Sequence, residues 1–415
     1  MDESGRRHEV FIELRQRLQS GLLIMRNDVA HSPTEVKVSS SSSSSSTESS
    51  LLIQTPRELR RVTLPPGVSV VPGSCQPTPS GDDGAGEEGL HFRLRLDVKQ
   101  QAEWRGSVIE RLQVQRSYGF LCQACGACIQ EKRVFRRVLP LPSGNWNALV
   151  GDWCCHPDPF ANLKLHPRPE DCLTGDTYFL LAGDDSSNQA LTINPRAAPE
   201  TTATNHSQDS DKPRPVHTGT SVVSCKKCSA MLGEALTRDV FKFYITEVVE
   251  TEGDGITNDI TRLEFVEKTV SARLVELSSA QSMFRFSLQT PSGKAAVLLW
   301  LLNTDTLVAW FPEKPVVSGG NGPLIPLGDG RGDEEHPSRH AVSAVKVLYL
   351  PCGATNAPSS HRELISAWEK DISVHPLTLP ETTCQEVVQL LQTSTSCLPP
   401  SLRSMNSYQV AYMRR

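Results

Sequence analysis

Two cysteine pairs of identical spacing, Cys122-Gln-Ala-Cys125 and Cys225-Lys-Lys-Cys228, constrain this chain more than any other feature of it. A two-residue gap lets both sulfurs of a pair point to one side of a tight turn. Two such turns supply four thiolates, the tetrahedral set that zinc prefers. The pairs are separated by about a hundred residues, so closing both on one ion means that a domain is inserted between them. A tetrathiolate leaves no open coordination position. Such a Zn2+ is structural and contributes roughly 10–16 kcal/mol of apparent folding free energy at neutral pH. Cys128 forms an overlapping pair with Cys125, which leaves one ligand open. Two other readings compete: structural thiols without metal, and a redox dithiol, which wants a βαβ context not visible here.

Composition narrows the setting. Twelve cysteines could suggest a secreted disulfide scaffold, but this chain has 415 residues, and Met1–Glu9 is charged with no signal-peptide-like apolar run behind it. Cytosol or nucleus is expected. The longest apolar stretch, Ala295–Leu302, is far below the roughly 20 residues needed to cross a bilayer. The net charge of -5 offers no field to attract a nucleic-acid backbone. A generic nucleic-acid binder is therefore disfavoured.

The ordered pieces read mainly as strands. His91–Val98 alternates strictly, with Phe92, Leu94, Leu96 and Val98 on one face. Phe241–Val249 and Met283–Leu288 alternate as well. Val10–Met25 fits a strand pair or a helix. Ala295–Leu302 and Thr306–Phe311 suggest two strands around an Asn303–Asp305 turn. Near the end, Ala341–Leu350 reads as a strand. His361–Lys370 and Glu381–Gln392 read as helices, with Thr382 and Thr383 as candidate caps. The fold class expected is α+β and β-rich. Antiparallel sheets are stapled by the structural four-cysteine zinc, and a smaller mixed α/β unit follows.

Four polar stretches divide these pieces, Ser39–Ser50, Gln76–Gly89, Gly183–Thr220 and Lys314–His340, all expected to lack structure. The expected organisation is a strand or helix segment at 1–38 and a serine-rich linker at 39–50. A β-rich part with the first cysteine pair follows at 51–182, then an insertion at 183–220. A second β-rich part with the other pair spans 221–313, a loop 314–340, and the C-terminal unit 341–415.

Two further cysteine elements carry candidate chemistry. In NWNALVGDWCCHPDPF, Trp146 and Trp153 flank a Gly-Asp turn, and Cys154, Cys155 and His156 follow on a segment stiffened by Pro157 and Pro159. A packed, Trp-anchored loop is one reading. The other is a soft ligand offered to a metal on a partner. Cys384 stands at the start of a helix, where a thiol pKa is lowered and the thiolate is a better nucleophile. The competing reading is a small buried hydrophobe.

Four blocks together resemble one family: VFIELRQRLQSGLLI, RVLPLPSGNWNALVGDWCCHPDPFANLKLHP, CKKCSAMLGEALTRDVFKFYITE, and the tail with WEKDISVHPLTLPETTC and LPPSLRSMNSYQVAYM. The chain is similar to the HECT-like ubiquitin ligases that bind a ubiquitin-conjugating enzyme. The resemblance implies ubiquitin-protein transferase activity, with the conjugating enzyme, ubiquitin and cyclin-type or other substrate proteins as partners. It implies docking of that enzyme on the stretch around Cys225–Glu247, with Met231, Leu232 and Phe241 as binding residues, and a HECT-like tail from about Leu377. Leu379-Pro380…Thr383-Cys384 is similar to the HECT motif whose cysteine accepts ubiquitin, which makes Cys384 the matching catalytic position. Gln385-Glu386 stands where HECT ligases carry Phe-Asn. The family is also similar to a factor that engages the zinc endonuclease of pre-mRNA 3'-end processing. By that likeness Cys154 or Cys155, aided by Trp146, Trp153 and His156, would ligand the endonuclease zinc and inhibit it. The alternative to a ligase is a zinc-stapled inhibitor or assembly factor for that endonuclease, without thioester chemistry.

Overall fold

The computed structural model describes residues 8–42, 49–78, 89–99, 106–142, 166–195, 221–252, 260–312, 338–353 and 359–415. Among these residues the chain is β-rich, with four sheets and five α-helices. The helices are α1 (Val108–Arg111), α2 (Asp185–Ala190), α3 (Arg262–Gln281), α4 (Ser359–Lys370) and α5 (Glu381–Ser396).

The largest sheet has 11 strands and draws on both ends of the chain. Val10–Met25 resolves as a hairpin, His8–Arg15 paired with Ser20–Met25, and Gln19 takes φ 48 in its turn. His8–Arg15 also pairs antiparallel with Ala295–Pro312, which pairs with Val342–Pro351 and through it with Tyr408–Arg414. One sheet thus joins the segments 1–38, 221–313 and 341–415. No turn breaks Ala295–Pro312 at Asn303–Asp305. The neighbouring strands run on past it, and the extra residues are absorbed as register shifts between Leu301 and Thr306. Alternation survives the shift. Val297, Leu299 and Leu301 face one core, and Leu307, Ala309 and Phe311 continue that face into a second.

The first core lies under α3 and α5. Val266, Val270 and Leu274 of α3 and Val387 and Leu391 of α5 pack on Phe286, Leu299, Val347 and Tyr349. The second core is closed by a four-stranded sheet that contains Lys37–Ser42, Ser49–Gln54 and Leu59–Leu64. The serine-rich tract is therefore partly strand. Ser39–Ser42 need only their backbones to pair with 49–52, and Ser49 is buried with its hydroxyl donating to the Val68 carbonyl. Polarity excludes a side chain from a core but not a backbone from an edge strand. The other polar stretches also begin or end in structure: α2 and the strand Leu191–Asn194 lie within 183–220, Gln76–Pro77 within 76–89, and Ser338–His340 within 314–340.

The remaining sheets carry the cysteine pairs. A three-stranded sheet orders Cys128–Val134, Ser117–Cys122 and Val248–Glu252. A seven-stranded sheet runs from Arg137–Pro140 through Asp171–Thr174, Tyr178–Ala182, Val240–Tyr244, Met231–Thr237 and Ser221–Cys225 to Leu191–Asn194. An aromatic core of Tyr118, Phe120, Phe135, Phe179, Phe241 and Phe243 fills the space between them.

Candidate metal centre and the Cys384 helix

Each cysteine pair sits in the same backbone device. Ser117–Cys122 delivers Cys122 into a turn in which Gly126 N donates to Cys122 O and Cys122 N donates to Ala127 O, both at 2.8 Å. Ser221–Cys225 delivers Cys225 into a turn in which Ser229 N donates to Cys225 O and Cys225 N to Ala230 O, again at 2.8 Å. The residue after each second cysteine takes a left-handed conformation, Gly126 at φ 66 and Ser229 at φ 62. Glycine adopts it freely, whereas Ser229 carries a backbone strain that the closed turn must offset.

The two turns face each other. Cys122 Sγ lies 3.7 Å from Cys228 Sγ, and Cys125 Sγ lies 3.8 Å from Cys225 Sγ. All four sulfurs fall within 4.8 Å of one another. A tetrahedron with metal–sulfur bonds of about 2.3 Å has edges of about 3.8 Å, so the cluster has the dimensions of a tetrathiolate site. Cys128 is exposed on the next strand and outside the cluster, whereas Cys125 belongs to it. Burial pushes the Cys122 thiol far up, while the Ala230 amide draws Cys228 down. A divalent cation is the group that would let all four ionise together.

The first turn also reaches the C-terminal helix. Arg262, the first residue of α3, donates through Nη1 to Gln123 Oε1 at 3.1 Å, inside the Cys122–Cys125 turn. Through Nη2 it meets Glu247 Oε1 at 2.9 Å, Thr383 Oγ1 at 3.0 Å and Glu386 Oε2 at 3.0 Å. Thr383 Oγ1 donates to Glu247 Oε1 at 2.6 Å, and Gln123 N donates to Glu247 O at 3.0 Å. Desolvation works against the Arg262 cation, but Glu247 and Glu386 outweigh it and hold its pKa above the usual arginine value. Neither Glu247 nor Arg262 was a candidate in the sequence, and Glu386 was noted only as a departure from the HECT motif. The one available signal was Gln123, placed between two candidate ligands.

Cys384 follows Thr383 directly. It is 1% exposed, and its thiol faces the carbonyl oxygens of Leu379 at 3.5 Å and Gln289 at 3.6 Å. Burial pushes its pKa up to about 12, against the lowering expected at a helix start. Desolvation in an apolar core outweighs the helix terminus. Thr383 is buried and serves no cap, because Pro380 takes the N-cap position without a side-chain hydrogen bond.

The expected docking residues separate. Leu232 and Phe241 are each 1% exposed and belong to the aromatic core, so neither is presented to a partner. Met231 is half-buried against the core under α3. Their strands are central in the seven-stranded sheet, and the alternation from Phe241 onward is the pattern of a buried face. Exposed apolar surface on the same hairpin is instead offered by Leu236. A cavity of about 290 Å³ opens beside the second turn, lined by Cys128, Gln189, Cys225, Lys226 and Lys227. Trp146, Trp153, Cys154, Cys155 and His156 lie outside the described residues.

Known proteins resemble the chain over its whole length. A family model described as HECT-like ubiquitin-conjugating enzyme (E2)-binding matches residues 13–410. The E3 ubiquitin-protein ligase E3D of Homo sapiens is 40% identical over 419 residues, covering 100% of both chains. The protein of that name from Mus musculus is 40% identical over 406 residues, covering 98% of this chain and 97% of its own. That from Bos taurus is 41% identical over 406 residues, with the same two coverages. No solved structure matches. The span of the family model takes in both cysteine turns, the Arg262 contacts and Cys384, and the chain belongs to the HECT-like ubiquitin-conjugating enzyme (E2)-binding family.

Proposed function

We propose that this protein is a ubiquitin-protein ligase that binds a ubiquitin-conjugating enzyme and promotes ubiquitin transfer to substrates and itself. The observation that carries the reading is the family match over residues 13–410, which spans the cysteine cluster and Cys384 alike. Cys122, Cys125, Cys225 and Cys228 would hold one Zn2+. With four thiolate ligands that ion cross-links the two β-rich parts and supplies no reaction chemistry.

In this reading Cys384 accepts ubiquitin. Its thiolate attacks the thioester carbonyl on the conjugating enzyme, the new carbon–sulfur bond replaces the old one, and the enzyme's cysteine leaves as thiolate. Because Cys384 is covered and its pKa stands near 12, the step requires the first turn of α5 to open. The same burial favours a second reading, in which the ligase only holds the charged enzyme beside a substrate. Holding reactants together is itself a large rate factor.

Docking is assigned to the Met231–Thr237/Val240–Tyr244 hairpin and the adjacent cysteine turn, where Leu236 is 41% exposed and Lys226 and Lys227 face solvent. Titration of a labelled conjugating enzyme with wild type and Leu236→Asp tests this. A rise in Kd of about tenfold is expected, since a buried anchor contact contributes 1–2 kcal/mol or more. An unchanged Kd removes this hairpin from the interface.

A further inference from the structure

Three parts of the chain that are remote in sequence meet at one guanidinium. Arg262 Nη1 holds the side chain of Gln123, the residue after Cys122. Its other nitrogens hold Glu386 and Thr383 on the first turns of α5, and Glu247 bridges Thr383, Arg262 and the Gln123 amide. Arg262 Nη1 also donates to the Thr246 carbonyl. The opposite side of α5 is apolar: Cys384, Val387 and Leu391 lie in the core with Leu377 and Leu379. α5 lacks a side-chain cap at its start, so the Arg262 contacts are what tie its first turn from the polar side. Planar, forked and permanently charged, arginine suits a junction of several acceptors, and lysine could not reproduce it.

We propose that Arg262 is a positioning residue, a latch that couples the Cys122–Cys125 turn to the first turn of α5 and thereby keeps the Cys384 thiol covered. Ordering of the cysteine turn fixes Gln123. Gln123 and Glu247 orient the guanidinium, and the guanidinium holds Thr383 and Glu386. Opening of the first turn of α5 is then a local event whose frequency depends on this junction, while the rest of the fold stays closed. The inference rests on the proposed function only for its consequence, a thiol released for transfer. The coupling itself concerns contacts within the chain.

Alkylation of the native, full-length chain tests it, with the rate at each cysteine followed by peptide mass spectrometry. Cys128, exposed, gives the unhindered rate, and Cys172, fully buried in the aromatic core, reports global opening. In wild type Cys384 should react as slowly as Cys172. In Arg262→Gln it should react roughly ten- to a hundredfold faster, the factor expected for losing a charge-assisted hydrogen bond, with Cys172 unchanged. Gln123→Ala, which removes the Arg262 Nη1–Gln123 Oε1 bond and leaves the sulfurs and the backbone bond from Gln123 N to Glu247 O in place, should move Cys384 in the same direction by a smaller factor. An unaltered Cys384 rate in Gln123→Ala overturns the coupling. A parallel rise at Cys384 and Cys172 in both variants overturns it too, because it shows general loosening. Metal content measured on the same samples distinguishes the two ideas: a metal-free wild type overturns the zinc reading, while the alkylation ratios decide the latch.

Discussion

Lys346 Nζ donates to Glu13 Oε1 at 3.1 Å, and this buried pair crosses the large sheet between strands 333 residues apart in sequence. Arg15 adds a second cation to the same carboxylate at 3.2 Å. Burial alone would raise the Glu13 pKa, but Lys346 and Arg15 together outweigh it and bring it below the ordinary value of 4.5.

Removing Lys346 leaves the buried Glu13 carboxylate with Arg15 alone, on a sheet face shared with the rings of Phe11 and Tyr412. Lys346→Met is expected to cost about 3–5 kcal/mol in urea denaturation, and Glu13→Leu combined with Lys346→Met should recover most of that loss. The pH dependence follows from the depressed carboxyl. Its stabilising contribution is complete above pH 4.5 and fades as pH falls through the lower, folded-state value. Denaturation midpoints compared between pH 6 and pH 3 should fall less in the double variant than in wild type.

Metal analysis of the purified chain should find about one zinc per molecule, bound by the four-sulfur cluster. Cys225→Ser with Cys228→Ser should abolish binding and unfold the aromatic core, visible as lost near-ultraviolet circular dichroism. A folded, metal-free double variant would sink the zinc proposal.

Cys384→Ala should eliminate any thiol-sensitive ubiquitin adduct on the chain and leave affinity for the conjugating enzyme unchanged. If self-ubiquitination continues at the wild-type rate, proximity rather than a thioester accounts for the activity.

If the chain also engages the zinc endonuclease that the resemblance of the Trp-Cys-Cys-His stretch implies, Cys154→Ala with Cys155→Ala should weaken that binding at least tenfold, as loss of a metal ligand does. Equal affinity of variant and wild type for the endonuclease removes the inhibitor reading.

Spacing made the four-cysteine cluster legible, because the placement of two sulfurs is local to each turn and a tetrahedral set needs two turns. Strict alternation did the same for the strand Leu90–Val98. The 20-residue helix α3 was not legible. Val266, Val270, Leu274 and Leu277 do recur at helical spacing, but Glu267, Ser271 and Glu276 are buried beside them and blur the apolar stripe. Those polar groups have long-range partners: Glu267 accepts from Arg414 N at 2.8 Å, and Glu276 Oε2 accepts from the Ser107 hydroxyl at 2.6 Å. Tertiary contacts of that kind leave no trace in a local pattern. They are also why Arg262, ordinary in sequence, became the junction of the site.

Leu14 lies opposite Leu307 in the large sheet, so its first hairpin is made early and completed late. At about 5–20 residues per second, a ribosome needs tens of seconds to deliver the missing neighbour. Through that interval the hairpin lacks the Ala295–Pro312 strand beside it, while both cysteine turns have already emerged. Synthesis thus delivers both cysteine turns before the large sheet can close around its first hairpin.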